Sequence, residues 1–457
     1  MRWGRRAKQK DVFAEMSALL AEPATKPPSK RKVRPRLQQI GRDPVRDPCA
    51  DLRLKLPDRD SQRRGLISWV EGSWDRKAKT VFPGGKVITS PRPQVAESTK
   101  NWKRPRGVRW SDYDKILVQF SGGKDSWAAL LWLLEAGAPR DKIEIWHQNV
   151  DGEGDDGAVS SMDWPVTLEY VAAAAKAMGF PLWTQWRAEG IIGELQRKGR
   201  HMYPMYFEDL DERGRRVVRE ATTEAGWLEG RPGWPAKKDM VKRWCTYGMK
   251  MEPADKGILY SARLSKEALG HIPRFLVVTG ERRSESHARA RYSSVQPHRT
   301  HAPTRRYVDQ WRPVHHLTEE EVWALMKRHK IQPHPAYELG WSHCSCFGCI
   351  YTSPAHWALM RRFAPGQFRG LVKAERRKGA TITHSVRHGI VHSVTLTEAA
   401  DKGEAQAQRI IASIPAPIRK KWLPVAMGGR RFTPAMVHVK GDWRLPTGAF
   451  RGRGGPT

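Results

Sequence analysis

Six residues dictate most of what this chain can become. Ser121-Gly122-Gly123-Lys124-Asp125-Ser126 follow the apolar run Lys115-Ile116-Leu117-Val118-Gln119-Phe120 and precede a stretch of helix-forming composition, Trp127 to Glu135. So short an apolar run reads as a buried strand, and the two glycines let the backbone turn tightly into the helix. A second apolar run, Ile143-Glu144-Ile145-Trp146-His147, precedes an alanine-rich helical stretch from Val166 to Met178 and a candidate strand from Pro181 to Trp186. A later strand, Arg274 to Thr279, leads into Gly280, and a helix opens at Thr318-Glu319-Glu320-Glu321, whose Thr-x-x-Glu spacing is a capping box. Strands alternating with helices predict an α/β fold with a doubly wound, mostly parallel sheet. Ligands bind such a sheet at the carboxyl ends of its strands, so 121–126 and 280–289 are expected to face one cleft.

The chemistry expected of the first loop is anion binding. Backbone N–H groups turned inward by Gly122 and Gly123, with the positive end of the following helix, cradle a phosphate. Ser121 and Ser126 add hydroxyl donors and Lys124 adds charge, while Asp125 can orient the loop or help hold a metal ion on the phosphates. The Gly-x-x-x-x-Gly-Lys-Ser/Thr spacing of the Walker loop is absent. In the second motif Arg282, Glu285 and Arg289 fall at i, i+3 and i+7, which on a helix is one face, with Ser286 beside them. Two guanidinium groups converging there suit phosphate or sulfate, and Glu285 can fix one of them.

Cys245 and the run Cys344-Ser345-Cys346-Phe347-Gly348-Cys349 hold four of the five cysteines; Cys49 is read as incidental. Thiolates at C-x-C-x-x-C with one distant cysteine suit an iron–sulfur cluster or Zn2+, and His343 is a substitute ligand that would favour zinc. Five cysteines in 457 residues cannot form a disulfide framework. The charged N-terminus is followed by no apolar signal core, and the longest apolar run, Ala128 to Leu134, is far short of the roughly 20 residues that span a bilayer. These features predict a cytoplasmic protein with no membrane partner.

Charge divides the chain. The net charge is +33, of which residues 1–110 carry +17 and residues 371–457 carry +11. Basic flanks point to nucleic acid, DNA or tRNA, with Trp102, Trp110 and Trp443 as candidate stacking points or, equally, core anchors. Residues 23–65, rich in proline and lysine, and the Arg/Gly-rich tail at 451–455 read as largely disordered. The expected organisation is a basic N-terminal extension (1–110), a catalytic domain (111–375) and a basic C-terminal extension (376–457).

Ser121, Gly122, Gly123, Asp125 and Ser126 match the Ser-Gly-Gly-x-Asp-Ser motif, so the chain resembles the PP-loop ATP pyrophosphatase superfamily. Gly280-x-Arg282-x-x-Glu285-Ser286-x-x-Arg289 resembles the second signature of the phosphoadenosine phosphosulfate (PAPS) reductase family. Arg243-Trp244-Cys245-Thr246 with Lys250 and Pro253, Trp311-x-Pro313, and Pro335-x-Tyr337-x-x-Gly340 extend the likeness over about residues 112–375. It is nearest to the branch that includes DNA phosphorothioation sulfur-transfer proteins and reductase-like proteins of phages and bacteria. The resemblance implies an adenine nucleotide α-hydrolase-like, Rossmann-like fold. It also implies ATP with Mg2+, split between the α and β phosphates to give an adenylylated intermediate and pyrophosphate.

In this family Lys124, Asp125, Arg282 and Arg289 would be catalytic, and 121–126, Glu285 and Ser286 would hold the nucleotide. Asp151, after the second strand where the superfamily contacts adenosine, could accept from a ribose hydroxyl or equally be a plain loop carboxylate. Relatives that transfer sulfur carry clusters, which puts [4Fe–4S] ahead of Zn2+ on Cys245, Cys344, Cys346 and Cys349. The Glu-Cys-Gly nucleophile of the reductases is missing, since Cys349 is the last cysteine. Adenylylation and sulfur transfer to a nucleic acid, with a sulfur-donor protein as partner, therefore lead. The alternatives are a reductase or nucleotidyltransferase acting on a small adenosine substrate, and a non-catalytic nucleic-acid-binding protein that keeps the nucleotide pocket.

Overall fold

The protein is described from a computed structural model covering residues 79–81, 87–89, 108–152, 162–198, 201–221, 231, 233–235, 243–344, 346–387 and 390–450. Most of the expected N-terminal extension, Cys49, Trp102 and the 451–457 tail lie outside these residues.

A small antiparallel ribbon pairs β1 (Lys79–Val81) with β2 (Val87–Thr89). The main sheet has eight strands: β3 (Lys115–Gln119), β4 (Ile143–Asn149), β5 (Leu182–Arg187), β6 (Met205–Leu210), β7 (Arg216–Ala221), β8 (Arg274–Val278), β9 (Val295–Pro297) and β10 (Tyr307–Trp311). They lie in the order β7-β6-β5-β4-β3-β8-β10-β9. The five central strands, β5 to β10 in that order, run parallel, while β6 at one edge and β9 at the other run against them and β7 pairs antiparallel with β6. The chain winds outward from β3 to β4 and β5, then returns to lay β8 on the other side of β3. That reversal makes the β3/β8 boundary the topological switch point, where a crevice opens at the strand ends.

Apolar alternation explains the layers. Ile116 and Val118 of β3, with Leu276 and Val278 of β8, point into the larger core, whereas Leu117, Phe275 and Val277 point into a smaller one with Trp146, Trp183 and Ile258. Period-2 side chains buried on both faces are what a central parallel strand requires. Helix α1 (Lys124–Glu135) follows β3 and buries most of its circumference, Trp127 and Trp132 included. Helix α2 (Thr167–Met178) ends on Gly179 in the left-handed region, a standard helix stop. Then come α3 (Gly190–Gln196), α4 (Glu252–Tyr260) and α5 (Glu319–Arg328). The box predicted for α5 is present: Thr318 Oγ1 accepts from Glu321 N at 3.2 Å and Glu321 Oε2 from Thr318 N at 2.8 Å.

The antiparallel hairpin β6–β7 was not anticipated, although its signal is in the chain. Met205, Phe207 and Asp209 are buried in alternation, and the turn closes where Asp211 accepts from Arg213 N at 2.9 Å and Arg215 N at 2.8 Å.

Residues 376–450 are built into the larger core. After α6 (Pro335–Glu338), α7 (Pro354–Phe363), α8 (Pro365–Lys378) and the hairpin β11 (Thr383–Arg387) with β12 (Ile390–Val394) come α9 (Leu396–Ser413) and α10 (Ala416–Ala426). Leu396, Ala400, Trp422 and Leu423 from the last two helices join the same cluster as Trp127. Of the two readings of Trp110 and Trp443, the core anchor is the one the structure shows. Both rings are buried, at 4% and 8% exposure, and Trp443 Nε1 donates to Ile331 O at 2.7 Å. An indole with its N–H satisfied inside a core has no free face for a base. Among the described residues no helix is long and apolar enough to cross a membrane.

Candidate functional site

The glycine loop lies at the carboxyl end of β3, with the 280–289 segment at the carboxyl end of its neighbour β8. Gly122 adopts φ +78, and a Cβ there would also stand 3.0 Å from the Tyr170 ring, so both conformation and space require glycine. Gly280 is required for a different reason: a Cβ would fall 2.3 Å from Asp125 O and 2.7 Å from Ser126 N. The two motifs touch backbone to backbone. Within the loop, Ser126 Oγ donates to Gly123 O at 2.8 Å and Ser121 Oγ lies 3.4 Å from Ser126 Oγ.

Charge joins the motifs as well. Arg282 Nε donates to Asp125 Oδ1 at 2.6 Å, across 157 positions of sequence. Lys124 Nζ lies 3.4 Å from Asp125 Oδ2 and 3.6 Å from Glu319 Oε1 at the start of α5. Glu285 Oε2 accepts from Arg282 N at 2.7 Å and its carboxylate pairs with Arg289. Next to them Glu281 Oε2 accepts from Arg312 Nε at 2.6 Å. The structure thus brings Lys124, Asp125, Arg282, Glu285 and Arg289 together. Glu281, Arg312 and Glu319 belong to the same network and were missed. Glu319 was read only as part of a cap, and nothing in its local pattern points across the crevice.

One geometric expectation changes. Arg282, Glu285 and Arg289 do not share a continuous helix. Two short 3₁₀ turns, Arg283–Glu285 and Arg289–Arg291, carry the segment, and the side chains converge because Glu285 caps the first turn while pairing with Arg289. Ser286 is buried and accepts from Arg289 N at 3.1 Å.

Burial raises the pKa of Asp125, but Arg282 and then Lys124 outweigh it and hold the carboxyl at about 2. Glu281 is likewise held at about 2 against burial, chiefly by Arg312. A carboxylate with a depressed folded-state pKa contributes stability in full above its unfolded value, about 3.9 for Asp, and loses it as pH falls through the folded one. The urea midpoint is therefore expected to drop between pH 4 and pH 2. Asp125→Asn should flatten that drop, and an unchanged pH profile in the variant would count against the pairing.

A second space adjoins the loop. It is a small open cavity of about 60 Å3, and its lining includes Ser121, His147, Asp163, Lys250, Cys344 and Cys346. Burial pushes Asp163 up to about 7, with Asp151 adding to the effect, and burial pushes His147 down to about 4. The Asp151 carboxylate accepts from Met162 N at 2.7 Å and Asp163 N at 3.1 Å, as a loop carboxylate would.

Cys245, Cys346 and Cys349 are near enough to influence one another, and all three raise the pKa of Lys250, Cys346 most strongly. Cys344 instead faces Asp163, Lys250 and Lys124. Burial drives the thiols of Cys245, Cys344 and Cys346 upward. The donors have the softness that iron or zinc prefers. Their arrangement does not fit: among the described residues no group of three or more His, Cys, Asp or Glu side chains is placed to hold a metal ion. The four-cysteine ligand set is therefore not shown among the described residues, and no metal is assigned to them.

Fold and site together define a doubly wound α/β protein with a crevice of paired cations and carboxylates at its switch point. Compared with known families, residues 216–354 match the phosphoadenosine phosphosulfate reductase domain. That stretch holds β8, the Arg282–Arg289 segment, α5 and the cysteine run, and begins beyond the glycine loop. A protein of Escherichia phage 186, described as an uncharacterized 37.8 kDa protein in the gpa 5' region, is 29% identical over 145 residues. The alignment covers 31% of this chain and 40% of the phage protein, so the chain spans about two fifths of that relative's length.

Proposed function

We propose that this chain binds ATP in the 121–126 loop, cleaves it between the α and β phosphates, and uses the adenylyl group to activate an oxygen of a nucleic acid for replacement by sulfur. The observation that carries the reading is the 2.6 Å contact between Arg282 and Asp125, which sets two cationic motifs on either side of one crevice. In the first step the acceptor oxygen forms a bond to the α-phosphorus as the bond to the β-phosphate breaks, and pyrophosphate leaves. In the second, a sulfur nucleophile at the oxidation level of hydrosulfide bonds to the activated carbon, and AMP departs with the original oxygen. The amides of the loop, Lys124, Arg282 and Arg289 would bind the departing pyrophosphate and offset its charge, a positioning and electrostatic role. Mg2+ would enter on the nucleotide and neutralise phosphate charge. The net charge of +33 supports a polyanionic acceptor.

Pyrophosphate release from ATP, screened against DNA, tRNA and small acceptors, tests this. The expected result is release that depends on a nucleic acid and falls by about 10²–10³-fold or more in Lys124→Ala, the cost of losing one strong charge-stabilising donor. Acceptor-independent release, or none with any acceptor, would sink the reading.

The match of residues 216–354 to the reductase domain favours a second reading, a small adenosine substrate such as PAPS. There, external thiols would be oxidised to a disulfide as sulfite leaves. Sulfite appearing from PAPS, without pyrophosphate from ATP, would select it.

A further inference from the structure

Two donors of Lys124 are committed to the segment that carries the cysteines. Its backbone N–H donates to Tyr337 Oη at 3.0 Å, and its ammonium donates to Ser342 O at 3.3 Å. The same phenol oxygen accepts a second N–H, from Cys344, at 3.1 Å. Tyr337 is 1% exposed, and its ring lies 5.8 Å from the Lys124 ammonium. One buried oxygen thus ties the backbone of the first residue of α1 to the backbone of Cys344, the first residue of the 344–349 run. The contact is tight on the other side too, since a Cβ on Gly123 would stand 3.3 Å from Cys344 O.

Both Lys124 donors are groups on which a phosphate in the loop would call. The N–H belongs to the first turn of a helix, where anions bind, and the ammonium is the loop's own cation. A charged acceptor outcompetes a neutral carbonyl or phenol for either. We propose that Tyr337 is a positioning residue that couples the glycine loop to the Cys344 segment, so that a phosphate drawing on Lys124 releases Ser342 and loosens that segment. Through this link, filling the loop exposes the thiol region. The inference rests on the nucleotide reading above.

The test is hydrogen–deuterium exchange on the full chain, followed in peptides spanning 121–127 and 340–347, with and without ATP. ATP binding is measured separately by equilibrium dialysis. In the wild type, ATP is expected to slow exchange in 121–127 and to speed it about tenfold at 340–347, within the 5–150-fold range of typical couplings between sites. Tyr337→Phe should still bind ATP, should exchange rapidly at 340–347 without it, and should respond to it less than about twofold there, because the link that transmits the change is gone.

A Tyr337→Phe protein that keeps the full ATP response at 340–347 would overturn the coupling. So would a wild type that binds ATP with no response there. If ATP fails to bind at all, the nucleotide reading fails, and the ligand-free arm still judges the tie: equal exchange at 340–347 in wild type and Tyr337→Phe would overturn it. Should Tyr337→Phe not fold, Gly123→Ala presses a methyl against the Cys344 carbonyl and leaves Tyr337 intact. Faster exchange at 340–347 is then expected, and unchanged exchange would overturn the coupling.

Discussion

Arg282→Ala is expected to cost about 3 kcal/mol of stability or more, and to abolish nucleotide binding, because removing one partner of a buried ion pair leaves the other uncompensated. Asp125 would keep only the Lys124 ammonium, at 3.4 Å, in place of a direct 2.6 Å bond from the guanidinium. The Arg282 N–H that holds Glu285 survives the change, so the 3₁₀ turn should persist while the crevice loses its central charge. Arg282→Lys, which keeps the charge but not the planar donor, should recover part of the stability and little of the binding. Urea unfolding and equilibrium dialysis with ATP measure the two effects. A loss under about 1 kcal/mol, the usual worth of an exposed ion pair, would mean that the pairing does not hold the two motifs together.

Gly280→Ala should separate stability from activity. Its methyl would meet the Asp125 carbonyl at 2.3 Å, and since both neighbours are backbone, the loops must move apart rather than a side chain turn aside. Overpacking of this kind costs about 1–3 kcal/mol. The effect on turnover should be larger, about 10²-fold, because an ångström of misplacement at a reacting centre costs that much. Pyrophosphate release beside thermal unfolding would reveal the split. A variant that lost stability but kept full turnover would show that the motifs need not touch for chemistry.

The residues that could be read from sequence are those whose role is local. The turn at Gly122, the burial of Ile116 to Val118 and the Thr318 to Glu321 cap follow from φ, alternation and spacing, and each appears as expected. The meeting of 121–126 with 280–289 was also legible, since strand-end geometry in a doubly wound sheet puts both in one crevice. Glu319, Glu281 and Arg312 were not, because their partners lie on other elements and no periodicity reports a contact across a sheet. Trp110 and Trp443 stayed open between stacking and core for a related reason. An indole among basic residues looks like a stacking platform in the chain, and only packing decides that it is core. The cysteine run read as a ligand set because spacing is visible in sequence, whereas the direction in which each thiol points is not. Burial in α9 and α10 was hidden because charged residues of both signs on α9 and Arg419, Lys420 and Lys421 on α10 stand between the few apolar ones, Leu396, Trp422 and Leu423, that face inward.

The last described residues have a consequence for how the molecule comes into being on the ribosome. Tyr170, which packs under Gly122, gives its hydroxyl proton to Gln332 O; Gln332 N in turn bonds Val437 O at 2.8 Å, and Trp443 reaches back to Ile331 O. The support beneath the glycine loop is therefore completed by polypeptide synthesised some three hundred residues after the loop itself. The crevice is thus completed only once Val437 and Trp443 have been synthesised, so a nascent chain cannot finish it before those residues have emerged.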